Sequence, residues 1–136
     1  MNNLATVQQL YASLALRDFA AAKSLFASDI EWVQAEGLPN SRRHTGPDAV
    51  IHEVFDKYHQ EWDDWKFTVH QWLDSGATIV TLGEYGGVNR ETARPMRAAF
   101  AHVYDLKDGK IFRFRQFAVT ARSRDAMPVH IQTRPF

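Results

Sequence analysis

The stretch RAAFAHVYDLKDGKIFRFRQFAVT, residues 97–120, constrains this chain more than any other segment. It reads as two long alternating strands joined by a turn at Lys107-Asp108-Gly109-Lys110. Small alanines in the first strand face bulky aromatics in the second. An antiparallel sheet built this way, wide and curved with room left on one face, is a scaffold that forms pockets.

The rest of the composition narrows the function classes. A chain of 136 residues is the size of one domain and can bury a core unaided. Sixteen basic residues balance sixteen acidic ones. That balance carries no electrostatic footprint for nucleic acid or for an anionic membrane. With no cysteine, disulfides, thiolate metal sites and cysteine nucleophiles are excluded. The N-terminal residues lack a basic segment followed by an apolar run, and no apolar stretch reaches the roughly 20 residues that span a bilayer. The expectation is a cytoplasmic protein without a cofactor.

Along the chain, Leu4, Val7, Leu10, Tyr11 and Leu14 follow helical spacing. Asp18 is an N-cap for a second short helix carrying Phe19, Ala22, Leu25 and Phe26. The period then changes to two, with Ile30, Trp32 and Gln34 on one face of a short strand. Residues 37–47 form a loop by their Gly, Pro, Asn and Ser content. The loop ends in Thr45-Gly46-Pro47-Asp48, which starts a third helix with proline in its first turn and an acid near the positive dipole end. That helix carries Val50, Ile51, Val54, Phe55, Tyr58 and Trp62. From Trp65 onward the pattern is β, first with Trp65, Phe67, Val69 and Leu73 on one face and Trp72 on the other. Thr78–Tyr85 follows, then a hairpin opened by Gly86-Gly87, then the two strands described first. Residues 121–136 have little periodicity and read as an irregular tail. The order is α+β, with helices packed on one face of a bent sheet.

This order resembles the nuclear transport factor 2-like superfamily, in its SnoaL-like and ketosteroid-isomerase-like branch. The matching pieces are Ala15-Leu16-Arg17-Asp18-Phe19, LFASDIEW (25–32), HTGPDAV (44–50), GEYGG (83–87) and FAHVYDLKDGKI (100–111). The resemblance covers residues from about 4 to 120 and implies a single domain over 1–136. It implies a cone-shaped fold in which three N-terminal helices pack on a curved, mainly antiparallel sheet around a cavity. It also implies a homodimer through the outer sheet face. Members of the superfamily include isomerases, polyketide cyclases, dehydratases, epoxide hydrolases and binding modules, so the fold alone does not assign a function.

Carried over residue by residue, the family's chemistries lose their reacting groups here. Ketosteroid-isomerase-like sites use a carboxylate base, a tyrosine and a protonated acid. The positions matching these are Gln34, Leu10 (with Tyr11 beside it) and Ala101. Epoxide-hydrolase-like members use an Arg-x-Asp pair, which this sequence does not contain. SnoaL-like cyclases use a histidine and an aspartate on the last two strands. His102 matches the first, but Gln116 and Val119 stand where the acid would be, and His102 is expected to face outward.

The expected pocket takes Trp32 and Gln34 from the first strand and Tyr11, Phe55 and Tyr58 from the helices. It takes Ala99 and Ala101 from the fourth long stretch of sheet, and Phe112, Phe114, Gln116 and Ala118 from the last. Phe100, His102, Tyr104, Arg113, Arg115 and Phe117 would face outward. The site is then a small apolar cavity oriented by two amides and two phenols, of the general form of ligand sites; the alternative is that the same residues fill the core. Weaker signals are His52, Asp56 and His59 at metal-ligand spacing, more simply a solvated helix face. Arg42, Arg43 and His44 read as a solvated loop, and Glu84, a candidate proton-transfer acid, reads more simply as a solvated sheet-edge residue or a partner of Arg97. Three functions follow: an enzyme on a small apolar polyketide-, steroid- or aromatic-like metabolite, a non-catalytic binding module, or a structural homodimer.

Overall fold

The computed structural model describes residues 1–35, 43–118 and 125–128. Helices α1 (Asn3–Ala15) and α2 (Phe19–Ser24) lead into β1 (Phe26–Val33) and a short β2 (Arg43–Thr45). A continuous helix follows in three parts, α3 (Pro47–Val50), a π-helical stretch (Ile51–Phe55) and α4 (Asp56–Glu61). Four long strands follow: β3 (Trp62–Asp74), β4 (Thr78–Asn89), β5 (Pro95–Lys107) and β6 (Lys110–Ala118). They form one sheet in the order β2-β1-β6-β5-β4-β3, in which only β1 and β6 run parallel. The architecture is the expected α+β arrangement, with β2 an addition inside the segment expected to be loop. The rest of that loop, residues 37–42, lies outside the described residues, as do Val119 and most of the tail.

Local chemistry accounts for the helix boundaries. Asn2 accepts a hydrogen bond from the Ala5 amide at 2.7 Å, and Asp18 accepts one from the Ala21 amide at 3.1 Å. Each side-chain oxygen satisfies an amide that the first turn leaves without a partner. Pro47 sits in the first turn of α3 with Asp48 beside it. Trp62, expected on the third helix, is instead the first residue of β3, with extended backbone (φ −129°, ψ 137°).

The β5–β6 hairpin turns on Asp108 (φ 52°) and Gly109 (φ 77°). Two successive residues of positive φ make the tight type I′ turn whose twist matches the strands it joins. From there Lys107 pairs with Lys110 and Leu106 with Ile111, but Asp105 pairs with Arg113. Phe112 is therefore an extra residue, a bulge in β6. Beyond it, Tyr104 pairs with Phe114, His102 with Gln116 and Phe100 with Ala118. Directly paired residues share a face, so the one-residue slip reverses which side of β5 lies inside. Phe100, His102 and Tyr104 are buried, while Ala99 is exposed and Ala101 half-buried on the outer face. The expected faces of β5 are thus inverted. Phe112 also leaves the interior: it is half-buried beside Ala27 and Lys107, away from the concave face.

Two further slips in β3, between Asp63 and Lys66 and between Val69 and Gln71, bend the opposite edge. Asp64 there has φ 54°. The second slip brings Trp72 to the same side as Val69 and leaves Leu73 outside at 40% exposure, the reverse of the expected assignment. Against the concave face so formed pack Val7, Leu10 and Leu14 of α1 and Val50, Val54 and Phe55 of the long helix. A second cluster gathers Trp62, Tyr85, Met96, Ala98 and Phe100 with Ala126 and Met127. The described part of the tail is therefore packed, not loose. It is pinned by Thr92 Oγ1 donating to the Ala126 carbonyl at 2.6 Å and Arg94 Nη1 donating to the Asp125 carbonyl at 3.0 Å.

Gly83 shows how close the bent strands come. A β-carbon there would lie 2.1 Å from the Thr68 carbonyl oxygen and 2.8 Å from the Phe100 ring. Gly83→Ala should therefore destabilise the fold by about 1–3 kcal/mol or more, read as a lowered denaturation midpoint. An unchanged midpoint would contradict this packing.

Candidate functional site

A cavity of about 400 Å³ opens between α1, the start of α2, the long helix and β3. Its wall is apolar and largely aromatic: Leu14, Phe19, Phe55, Trp65, Phe67 and Trp72, with Ala12 and Ala15 leaving the space. Tyr11 and His59 supply polar side-chain groups. Lys66 borders the cavity too, but its side-chain carbons lie against Gly86, whereas the inward neighbours Trp65 and Phe67 face the cavity. The volume and lining suit a small, largely apolar molecule.

Tyr11 connects this cavity to a buried polar chain. Its ring packs edge-on against Trp72, at 5.5 Å between centroids, and against Phe67 at 6.0 Å. Its hydroxyl lies 2.7 Å from Thr81 Oγ1 and 2.6 Å from His102 Nδ1, and accepts from the Tyr104 hydroxyl at 2.8 Å. His102 Nε2 meets the Tyr85 hydroxyl, which accepts from Gln116 Nε2 at 2.6 Å. Gln116 Oε1 in turn accepts from the Ala35 amide at 2.8 Å. A second short chain runs from Trp32 Nε1 to Gln34 Oε1 at 3.0 Å, and from Gln34 Nε2 to the Tyr58 hydroxyl at 2.7 Å.

Burial governs the protonation of these groups. It holds the His102 imidazole well below its ordinary pKa, so the ring is neutral. Burial likewise pushes Tyr85 and Tyr104 up, and Tyr58 up to about 12. It raises Tyr11 as well, against the opposing hydrogen bonds from Thr81 and Tyr104. A neutral imidazole donates from one nitrogen and accepts at the other. One of Tyr11 and Tyr85 therefore donates to His102 while the other accepts. Moving the ring proton from Nδ1 to Nε2 reverses the hydrogen bonds on both sides of the histidine. When His102 donates to Tyr11 from Nδ1, Tyr11 accepts from both His102 and Tyr104, and its own proton goes to Thr81.

The structure distributes the sequence-predicted residues over three places. Tyr11 and Phe55 line the cavity. Trp32, Gln34, Tyr58, Phe114 and Gln116 form the layer behind it, where Trp32 stacks on Phe114 at 3.7 Å and both amides are consumed by internal hydrogen bonds. Ala99 and Ala101 stand outside. The space expected between Trp32, Gln34 and Gln116 is thus filled, and the cavity lies on the other side of Tyr11. Sequence reasoning missed His102, Tyr85, Tyr104 and Thr81 as one cluster. Their signal was the strict alternation of Phe100, His102 and Tyr104, which a bulge in the neighbouring strand assigned to the inner face.

The weaker signals also resolve. His52 Nδ1 pairs with Asp56 at 3.0 Å, while His59 turns to Arg17. Among the described residues no three His, Cys, Asp or Glu side chains come together as a metal site. His44 is buried in β2, 3.5 Å from Glu53, rather than solvated, and Arg43 pairs with Glu31 at 3.4 Å. Arg42 lies outside the described residues. Glu84 is on the outer face with Arg97 at 2.5 Å, as expected.

Known proteins share this fold. The sequence matches the SnoaL-like domain over residues 7–114. An NTF2-like protein from Burkholderia thailandensis E264 superposes with a TM-score of 0.90 at 30% identity, covering 94% of this chain and 98% of that one. An NTF2-like protein of unknown function from Burkholderia pseudomallei K96243 gives 0.83 at 22% identity, covering 98% and 99%. TerC, co-crystallised with polyporic acid, gives 0.82 at 20% identity over 91% of this chain and 96% of its own, a likeness of fold. No curated protein matches the sequence.

The neutral, buried His102 makes stability depend on pH in a fixed direction. Its folded pKa is depressed, so below the unfolded value of about 6.5 the unfolded chain binds the extra proton. Its contribution is intact above pH 6.5 and declines as the pH falls, by up to about 1.4 kcal/mol per unit. Denaturant titrations between pH 7 and 5 should show this decline in the wild type, with a shallower slope in His102→Gln. Parallel slopes would show that His102 is not the group responsible.

Proposed function

The chain belongs to the SnoaL-like domain family, and from that premise we propose that it binds a small, largely apolar polyketide-, steroid- or aromatic-like metabolite and acts on it by isomerase-, cyclase- or dehydratase-type proton transfer. The reading takes residues 1–136 as one such domain. The observation that carries it is Tyr11, whose ring lines an apolar cavity while its hydroxyl is held by His102, Thr81 and Tyr104. A carbonyl oxygen in the cavity competes with Thr81 for the Tyr11 proton. The hydrogen bonds from His102 and Tyr104 hold the phenol oxygen in place, so that its proton polarises that carbonyl. Tyr11 touches the substrate; His102 positions it.

A non-catalytic binding role is the second reading, and a specific observation favours it. No carboxylate lines the cavity among the described residues, and Gln34 occupies the position of the family's base. Both readings use the same space. A cytoplasmic location belongs to the proposal as well; among the described residues no helix is long and apolar enough to cross a membrane. No cofactor, membrane or nucleic acid enters the proposal.

A homodimer through the outer sheet face completes the proposal. Phe117 is 56% exposed and Leu73 40% exposed there, two large apolar side chains facing solvent. Phe117 pairs with Ala101, and Leu73 with Val80. Arg113 and Arg115 precede Phe117 at alternate positions of β6 and hold Asp105 at 2.7 and 3.4 Å. Aromatic and arginine side chains are enriched at such surfaces.

The decisive substitution is Ala15→Phe, which fills the cavity from α1 without touching the Tyr11 hydrogen bonds. It should abolish saturable thermal stabilisation by apolar carbonyl compounds while the protein stays folded. Persistent stabilisation in that variant would remove the cavity as the binding site. Product formation in the wild type, lost in Tyr11→Phe, separates the enzyme from the binder; Tyr11→Phe also costs about 1–3 kcal/mol of stability by stranding its buried partners, so activity must be read well below its melting point. Light scattering of Phe117→Arg should report a shift from dimer toward monomer.

A further inference from the structure

Beside the cavity, though not in its wall, the exposed Arg17 links the turn after α1 to α4. It lies in the chain between Ala15 and Phe19, both of which line the cavity. One guanidinium nitrogen, Nη2, is 2.5 Å from His59 Nδ1, and His59 is itself part of the lining. A guanidinium only donates, so His59 Nδ1 accepts and the ring carries its proton on Nε2. Burial, then the charge of Arg17, holds the His59 imidazole below its ordinary pKa, which keeps this ring neutral.

The charges around this point are unequal. Asp56, Arg17 and Arg90 are the charged groups that act on His59. Arg90 is paired with Asp63 at 3.1 Å, and Asp56 is held by His52 at 3.0 Å. Arg17 has no carboxylate within ion-pair distance among the described residues; its side-chain partner is the neutral His59. Its backbone is also unusual, with φ 54° in a non-glycine residue. Such a position favours glycine or asparagine, so the side chain here is carried at a conformational cost. A guanidinium without a carboxylate partner among the described residues, and the imidazole it donates to, thus stand beside one end of an aromatic cavity. Two donors and a positive charge beside flat apolar walls match a planar acid, with its ring system inside and its carboxylate at the rim.

We propose that the cavity is selective for planar aromatic carboxylates, with Arg17 and His59 as the anion-recognising pair. The inference rests on the cavity reading above and adds the charge of the ligand. The pair binds and orients; it takes no part in proton transfer.

Titration calorimetry with 2-naphthoate and its uncharged analogue 2-naphthamide tests this. The wild type should bind the carboxylate at least tenfold more tightly than the amide in 20 mM salt, and that preference should shrink in 200 mM salt. Arg17→Asn keeps a residue that tolerates positive φ and should reduce the preference to twofold or less, with the melting temperature confirming a folded protein. A wild-type preference below threefold, or one that survives Arg17→Asn, overturns the inference while amide binding leaves the cavity reading standing. Binding of neither compound overturns both. Amide binding that Ala15→Phe abolishes, without carboxylate preference, assigns Arg17 to bridging the turn and α4 alone.

Discussion

The whole interior depends on one residue too many in β6. Phe112 has no partner in β5, and the pairing slips by one at that point. Every residue of β5 before the slip is thereby turned over, because side chains alternate with a period of two. Phe100, His102 and Tyr104 come inside and the alanines go outside. Without the extra residue Ala101 would meet Gln116, and the polar chain from Tyr85 to Thr81 would lose its central histidine. The bulge and the two slips in β3 also bend the sheet, as bulges do by adding local twist. Curvature, cavity and polar cluster therefore share a cause.

What was legible in the sequence and what was not follow from this. Helix starts were legible because capping is local: Asp18 and Gly46-Pro47-Asp48 announce themselves within four residues. The Asp108-Gly109 turn was legible for the same reason. The inward faces of β1 and β6 followed from alternation, and Trp32, Gln34, Phe114 and Gln116 are buried as expected. The face of β5 was not legible, because a bulge is a relation between two strands and leaves no mark in either alone. Trp72 and Leu73 were exchanged for the same reason. The cavity was displaced rather than absent: Tyr11 and Phe55 belong to it, but the space near the amides is taken up by the stack of Trp32 on Phe114. Short β2 was hidden inside a loop-like composition.

The site itself has two layers with different physics. The outer one is a wall of rings and small alanines, whose shape decides what fits. The inner one is a set of buried hydroxyls, amides and an imidazole, satisfied by one another. In a region with little water such a network is strong when complete and costly when broken. Tyr11 belongs to both layers, since its ring faces the wall and its oxygen closes the network. Changes in the wall should be tolerated far better than changes in the network.

The π-helical stretch from Ile51 to Phe55 extends the theme of inserted residues to the helical side. A π turn holds an additional residue compared with the α-helix around it, so it rotates everything that follows by about a quarter turn. Tyr58 and His59 lie just beyond it, one reaching Gln34 behind the cavity and the other Arg17 at its rim. Deleting a single residue there would leave a sound helix and swing both side chains away from their partners. In this architecture a change of length by one position can therefore redesign the pocket more drastically than any point substitution. Divergence among proteins of this shape is accordingly to be sought in their gaps as much as in their residues.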